Sequence, residues 1–390
     1  MKIIPHRPDK NQEYKNEFKE NNIYPFNKIG RCIIDKITGE IKKWCNELDS
    51  NLDTEGNPIN LDVENEDVMV YIPAFYYKRI WEGEILTDSI LDKIPNSLEF
   101  QGYKLHPAFI RSDNTIRPYI LIGAFMGYID DKNILRSIPN VFSTSTKTQN
   151  EFRNSARQSR NNNFNLLTME VYSALQILYK ISFQNLDSSI SLGYGTTYLH
   201  GVTPNDNAFY TGKTMELGNR CGYLNKNRDD ISFLGIENIY GQRYQIVDGL
   251  YIKSDGYLYT NDPNKFDDIS SYKKYEINTI LNKTSAQTMF LEKILKINSN
   301  EYLNIFNLPS KFMEQSSYLK YYADCMYYHN IDKNDLNTIN IIGVGGVIVL
   351  GSSTEYQDFV NNYFGIFSGV YNFSINYKHG FIGTRLIFLP

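Results

Sequence analysis

The sequence has little net charge and few of the residues that build metal or redox sites. Its 40 Lys and Arg nearly balance 44 Asp and Glu, which leaves a net charge of −4. A nucleic-acid-binding protein normally shows a basic excess, and this chain has none. The five histidines are widely separated, and the four cysteines form no Cys-x-x-Cys pair. We therefore expect no cofactor, no metal ion and no nucleic-acid partner.

Long apolar stretches are also missing. Residues 1–20 are polar and contain no apolar run of signal-peptide length. No window approaches the roughly 18 consecutive apolar residues of a membrane span. The sequence thus predicts a protein that is made in the cytoplasm and does not insert into a membrane. If it works outside its cell of origin, it leaves by lysis or as part of an assembled particle.

Aromatic residues and asparagine are abundant instead. The chain has 31 Tyr, 22 Phe and 2 Trp, together 14% of its residues, and 43 Asn. Rigid aromatic rings beside adaptable amide groups are typical of recognition surfaces. The codons of an AT-rich genome would produce the same excess. Composition alone leaves both explanations open.

Apolar patterning predicts several local elements. Short apolar runs on either side of Thr38-Gly39 predict a small hairpin, and the near-continuous apolar run at 68–77 predicts a buried strand. Helical spacing of apolar residues predicts a helix over 168–181 with Thr168 as its N-cap. A second helix is expected at 286–297.

Two polar or glycine-rich segments look like binding motifs but fit none. The acidic stretch 46–67 has no calcium-loop spacing, so we interpret it as a solvated loop. Gly343, Gly345 and Gly346 lie inside a strand-like apolar run, whereas a phosphate cradle needs glycines that open onto a helix N-terminus. We expect these glycines to mark bulges or close strand packing.

A series of short phrases follows in a fixed order from residue 66 to the C-terminus. The phrases are Val70-Tyr-Ile-Pro73-Ala-Phe-Tyr-Tyr-Lys78, His106-Pro107-Ala-Phe109, Gly123-Ala-Phe-Met-Gly127-Tyr128, Ala156-Arg157, Thr211-Gly212-Lys-Thr214, Gly218-Asn219, Leu234-Gly235-Ile236-Glu237-Asn238-Ile-Tyr240-Gly241, Val247-Asp248-Gly249 and Ile382-Gly383-Thr-Arg385-Leu386. This order resembles the C-type-lectin-like domains of receptor-binding proteins from phages and phage-tail-like particles. Those domains are related to the variable proteins of diversity-generating retroelements and, more distantly, to formylglycine-generating enzymes.

The resemblance implies an α+β fold. It would be a C-type-lectin-like domain over residues 66–390, with small twisted antiparallel sheets, two main helices and much ordered loop. A small β-rich N-terminal segment, residues 1–65, would dock onto the particle. Within the domain we expect Glu237 and Asn238 to be buried structural hydrogen-bonding residues, and Arg385 to bind a partner charge or backbone carbonyls.

The resemblance also implies where a ligand would bind. Retroelement variable proteins present their ligand face just before the closing Ile-Gly-x-Arg-Leu strand, which corresponds to residues 352–379 here. The candidate receptor-binding residues are Tyr356, Asn361, Asn362, Tyr363, Phe367, Tyr371, Asn372, Asn376, Tyr377, Lys378 and His379. We expect about half of the aromatic and amide residues in this stretch to be exposed.

These features predict a non-catalytic host-attachment protein at the tail tip or baseplate of a phage or phage-derived contractile bacteriocin. The expected partner is a bacterial cell-surface glycan, teichoic acid or surface-layer protein, and the expected assembly is a homotrimer. The alternatives are an enzyme, either a polysaccharide depolymerase or a formylglycine-generating-type oxidase, and a purely structural baseplate subunit. Cys325 is the only cysteine after Cys221, so the cysteine pair of the oxidases is missing. The sugar-binding triplets of calcium-dependent lectins are missing too.

Overall fold

The structure is a computed structural model. It describes residues 22–82, 85–91, 102–184, 188–196, 209–224, 229–253, 256–276, 287–294, 309–313, 325–328, 339–346 and 364–390.

Strands dominate these residues. The first half of the chain contributes β1 (Gly30–Asp35), β2 (Ile41–Trp44), β3 (Glu66–Pro73), β4 (Tyr76–Glu82), β5 (Ile85–Ile90), β6 (Lys104–Leu105), β7 (Tyr119–Gly123), β8 (Tyr128–Ile129), β9 (Leu135–Arg136) and β10 (Phe164–Leu166). The second half contributes β11 (Gly222–Tyr223), β12 (Ile231–Phe233), β13 (Ile236–Glu237), β14 (Tyr244–Lys253), β15 (Gly256–Tyr259), β16 (Lys273–Glu276), β17 (Gln287–Ile294), β18 (Pro309–Met313), β19 (Cys325–Tyr328), β20 (Asn340–Gly346), β21 (Phe364–Ser374), β22 (Ile382–Gly383) and β23 (Leu386–Phe388). The α-helices are α1 (Gln149–Arg157), α2 (Met169–Phe183) and α3 (Ser188–Leu192).

A six-stranded antiparallel sheet has the order β10-β23-β7-β3-β1-β2. Its two faces follow the period-2 alternation of strands. On β3, Val68, Val70 and Ile72 pack in one buried apolar cluster, while Met69 packs with Leu121 in a second cluster. Both faces of this sheet are therefore covered, which explains the continuous apolar run in the sequence.

A mixed nine-stranded sheet has the order β16-β15-β14-β20-β21-β19-β17-β18, and β22 pairs in parallel with β14. The register between β20 and β21 shifts at two places, between Ile341 and Gly343 and between Val344 and Gly346. A Cβ added at Gly343 would lie 2.8 Å from the Phe373 ring. The expectation that these glycines mark bulges and close strand packing is confirmed.

The predicted helix at 168–181 is confirmed as α2. The Thr168 hydroxyl accepts a hydrogen bond from the Val171 N–H at 3.2 Å, and the helix ends where Gln184 takes a left-handed conformation. Every residue of α2 except Lys180 is buried. The helix is thus enclosed by the β-structure and does not lie on its surface.

Two predictions about the fold are wrong. The predicted α+β C-type-lectin-like domain, with small sheets and two main helices, is replaced by a mostly β architecture with sheets of six and nine strands. The segment expected as a helix at 286–297 contains β17, which pairs with β18 and β19. The α+β prediction came from the resemblance alone. At 286–297, strand pairing with distant segments outweighed the local helical spacing.

The predicted hairpin around Thr38-Gly39 is confirmed as β1 and β2, which pair antiparallel. β1 also pairs with β3, so the six-stranded sheet continues across the domain boundary expected at residue 65. Among the described residues, no helix is both long and apolar enough to cross a membrane.

Candidate binding surface

The residues predicted to bind the receptor are only partly described. Tyr356, Asn361, Asn362 and Tyr363 lie outside the described residues, as do the side chains of Tyr371 and Asn372 on β21. The Phe367 side chain is 1% exposed and belongs to the apolar core. Its ring is not available to a ligand.

Four of the predicted residues are exposed together in the turn that follows β21. They are Asn376, Tyr377, Lys378 and His379. We call residues 373–381, the last two residues of β21 and the turn after it, the aromatic turn.

The rings of the aromatic turn form a row. The Phe373 and Tyr377 rings are stacked with centroids 4.8 Å apart and planes 7° apart. The Tyr377 and His379 rings are parallel within 3° at 6.1 Å, and the Phe381 ring follows at 5.2 Å from His379. Tyr244 contacts the other end of the row edge-on, at 5.8 Å from Phe373. Four consecutive ring contacts fix these side chains relative to one another.

Local hydrogen bonds close the backbone of the turn. The Tyr377 N–H donates to the Ser374 carbonyl at 2.9 Å, and the Ile382 N–H donates to the His379 carbonyl at 3.1 Å. The Phe381 N–H donates to His379 Nδ1 at 3.2 Å. The imidazole is thereby oriented by its own turn, as an Asx-type side chain would be.

A buried arginine holds the turn against the body of the protein. The Arg243 guanidinium donates to the Gly380 carbonyl and, at 3.0 Å, to Ser143 Oγ. It also lies 3.7 Å from the centroid of the Phe209 ring. Burial lowers the pKa of Arg243 to about 9, so the side chain is still a cation at neutral pH. The Thr146 N–H adds a hydrogen bond to the His379 carbonyl at 3.2 Å.

An ion pair links the turn to α1. Lys378 Nζ lies 2.8 Å from Glu151 Oε2, and both side chains are more than a third exposed. Glu151 also closes a capping box with Thr148 at the start of α1. The hydrogen bonds from Lys378 and from the Thr148 backbone lower the pKa of Glu151 to about 2. The pair positions the turn but is screened by water, so it contributes little to stability.

The polar tips of the row face solvent. Within the described part of the chain, the Tyr377 hydroxyl, His379 Nε2 and the Asn376 amide make no hydrogen bond. They offer donors and acceptors beside rigid rings. Such an arrangement can bind a polar, ring-bearing or extended ligand.

A second polar cluster, the buried hub, comprises Glu237, Asn238 and Arg385. Arg385 is fully buried and donates to the carbonyls of Gly123 (3.2 Å), Ala124 (3.3 Å), Asn238 (2.7 Å) and Glu237. Burial lowers the pKa of Arg385 to about 9. The expectation that Arg385 binds backbone carbonyls is confirmed.

The side chains of Glu237 and Asn238, the other two residues of the hub, are also hydrogen-bonded. The Glu237 carboxylate accepts from the N–H groups of Gly212 (2.9 Å) and Thr214 (2.7 Å) and from the Thr214 hydroxyl (2.9 Å). The Asn238 side chain accepts from the Ile231 N–H at 3.0 Å. The Glu237 side chain is buried, because only 1% of the residue is exposed, and this burial raises the pKa of its carboxyl group.

Acidic, histidine and cysteine side chains are the usual catalytic and metal-binding groups of proteins. An apolar cleft between the loop that follows β2 and residues 138–141 has no Asp, Glu or His among its lining residues. Among the described residues, no group of three His, Cys, Asp or Glu side chains is placed to hold a metal ion. The side chain of Cys325 lies outside the described residues.

Sequence reasoning missed the residues that support the turn. Arg243 is 137 positions from Gly380, and Glu151 is more than two hundred residues from Lys378. The three-residue spacing of Thr148 and Glu151 is that of a capping box, and it could have predicted the start of α1. It could not have predicted the ion pair between Glu151 and Lys378. A scan against protein-family models finds no matching family, and a search of curated proteins finds no match.

Proposed function

We propose that this protein is a host-attachment protein at the tail tip or baseplate of a phage or phage-derived contractile bacteriocin. It binds a bacterial cell-surface glycan or protein through the aromatic turn and does not transform it. Residues 1–65 face the particle, and several copies act together, so that modest affinity at one site gives firm adsorption.

The observation that carries this proposal is the row of rings at the aromatic turn. Exposed Tyr377 is 38% accessible and is held between Phe373 and His379. Holding aromatic side chains in a fixed array before binding lowers the entropy cost of association. The free hydroxyl, amide and imidazole nitrogen beside the rings match the hydroxyl-rich surface of a glycan or the backbone of a protein loop.

Charge further supports an uncharged or weakly charged receptor. The exposed Lys378 is already paired with Glu151, and the chain as a whole has a net charge of −4. A polyanion such as teichoic acid would need unpaired cations to offset its phosphates. We therefore favour a neutral glycan or a protein over a teichoic acid.

Adsorption to purified cell envelopes tests the proposal. The fluorescently labelled chain is mixed with envelopes from a panel of bacteria, each left intact, treated with protease or oxidised with periodate. Binding that survives protease and is lost after periodate indicates a glycan, and the reverse pattern indicates a protein. Reducing sugars and peptides released from the envelopes into solution are measured in the same samples. Release of such products, without stable adsorption to any envelope, would show that the chain is an enzyme.

A further inference from the structure

An apolar cleft lies between the loop that follows β2 and residues 138–141. None of its lining residues belongs to the aromatic turn. Its volume is about 430 Å³, and aliphatic side chains form most of its wall, among them Ile33, Leu61, Val68 and Val141. Clefts that bind small molecules typically have volumes of about 300–1,000 Å³ and largely apolar walls.

The wall contains no charged side chain and no histidine. A charged ligand placed there would lose its hydration without gaining a partner charge, which is costly. Two of the polar wall residues are already engaged. Ser50 Oγ accepts from Arg31 at 3.3 Å, and the Asn51 amide donates to Asp49 at 2.8 Å.

Asn140 is the exception. It lines the cleft, is exposed and, within the described ranges, has no hydrogen-bond partner for its side-chain amide. Its backbone is fixed, because its N–H donates to the Thr211 carbonyl at 2.9 Å. The amide can therefore offer donors and an acceptor in the wall of a mainly apolar space.

The wall is held in place by backbone hydrogen bonds that join separate segments. The Ser50 N–H donates to the Met215 carbonyl at 2.8 Å, and the Ile59 N–H donates to the Asn51 carbonyl at 2.8 Å. A cleft that is open before the ligand arrives needs little reorganisation to bind it.

We propose that this cleft binds a small, uncharged, mainly apolar molecule, with the Asn140 amide making its one directional hydrogen bond. The volume sets the size of the ligand, the aliphatic wall sets its polarity, and the missing charges exclude an ion. The inference is independent of the proposed attachment function, since it uses none of the residues of the aromatic turn.

Indole and toluene are suitable probes, because both are compact and neutral but only indole has a hydrogen-bonding group. Binding is measured by protein-detected NMR or calorimetry on the full chain. We expect Val141→Trp, which fills the cleft, to weaken binding of both probes by at least about tenfold. Asn140→Ala should weaken indole about fivefold and leave toluene unchanged. Ile116→Trp is the matched control, because Ile116 is 54% exposed and lies outside the cleft; it should change neither.

The proposal is overturned if neither probe binds the folded wild-type chain, or if Val141→Trp binds both probes as the wild type does. It is also overturned if indole-3-acetate, the charged analogue, binds as tightly as indole. Loss of association with a co-produced particle protein in Val141→Trp, with probe binding unchanged, would assign the cleft to protein docking instead. A thermal melt of each variant separates these outcomes from misfolding.

Discussion

The buried hub and the aromatic turn place similar polar chemistry in opposite surroundings. In the hub, Arg385 and Glu237 are at most 1% exposed and each makes several hydrogen bonds to the backbone. In the turn, Tyr377 is 38% exposed and its hydroxyl makes no hydrogen bond within the described residues. The hub satisfies backbone groups that irregular loops would otherwise leave unpaired. The turn leaves its polar groups exposed to solvent.

The two groups of residues therefore call for different explanations. The hub residues belong to the phrases that resemble C-type-lectin-like domains. Their hydrogen bonds to the backbone give them a structural role in this fold. Residues 375–381 of the turn follow the end of β21, and among the described residues the Tyr377 hydroxyl has no hydrogen-bond partner. Changes in the hub should therefore alter stability, whereas changes in the turn should alter binding.

The largest expected effect is the loss of Arg385. Arg385→Met removes the buried donor of the Gly123, Glu237 and Asn238 carbonyls and of Gln245 Oε1. Because each unsatisfied buried group costs about 1–3 kcal/mol, we expect the free energy of unfolding to fall by at least about 4 kcal/mol. Urea denaturation followed by circular dichroism measures it.

Arg111→Met is the matched control for that experiment. The Arg111 guanidinium also donates to backbone carbonyls, those of Ile116 and Pro390, but in a partly exposed position where water replaces it. Its loss should cost about 1 kcal/mol or less. Equal costs for the two arginines would contradict the structural role of the hub.

The next effect is a pH dependence that comes from a buried acid outside the hub. Burial raises the pKa of Glu170 from 4.5 to about 7, against the opposing effects of the Tyr259 hydrogen bond and of Arg117. Between these two values the folded protein keeps a proton that the unfolded chain has lost. The free energy of unfolding therefore falls as pH rises through this window, by up to about 3 kcal/mol at roughly 1.4 kcal/mol per unit.

Glu170→Gln should remove that part of the slope, as measured by urea denaturation at pH 5 and pH 8. Glu151→Gln is the opposite case, because the pKa of Glu151 is lowered to about 2. Its contribution to stability is present above about pH 4.5 and is lost only as pH falls toward 2, so the slope between pH 5 and 8 should not change. An unchanged slope in Glu170→Gln would place the titrating group elsewhere.

Local sequence signals predicted only the parts of the fold that depend on neighbours in the chain. The capping threonine and apolar spacing of α2, the β1–β2 hairpin and the glycines of β20 could all be predicted from short windows. α1 was missed because its apolar face consists of little more than Phe152 and Ala156. The helix expected at 286–297 became β17 because its backbone pairs with β19, which no local pattern reveals.

Long-range pairing also explains the wrong fold class. β23 lies between β10 and β7, and β1 lies between β2 and β3, so the sheets join segments from both ends of the chain. For the candidate site, the resemblance, through the position of the segment before the closing strand, pointed to Asn376, Tyr377, Lys378 and His379, which are exposed. It could not place Phe367 in the core, because its burial follows from contacts with distant residues such as Tyr179.

The measurement that tests the account most directly compares adsorption and stability in the same variants. The Tyr377→Ala/His379→Ala double variant should lose at least about tenfold in affinity for the envelope, while its free energy of unfolding changes by no more than about 0.5 kcal/mol. Tyr210→Ala, which removes a tyrosine that is 42% exposed outside the aromatic turn, should change neither quantity. Wild-type adsorption by the double variant, or equal losses in both variants, would contradict the assignment of binding to the aromatic turn.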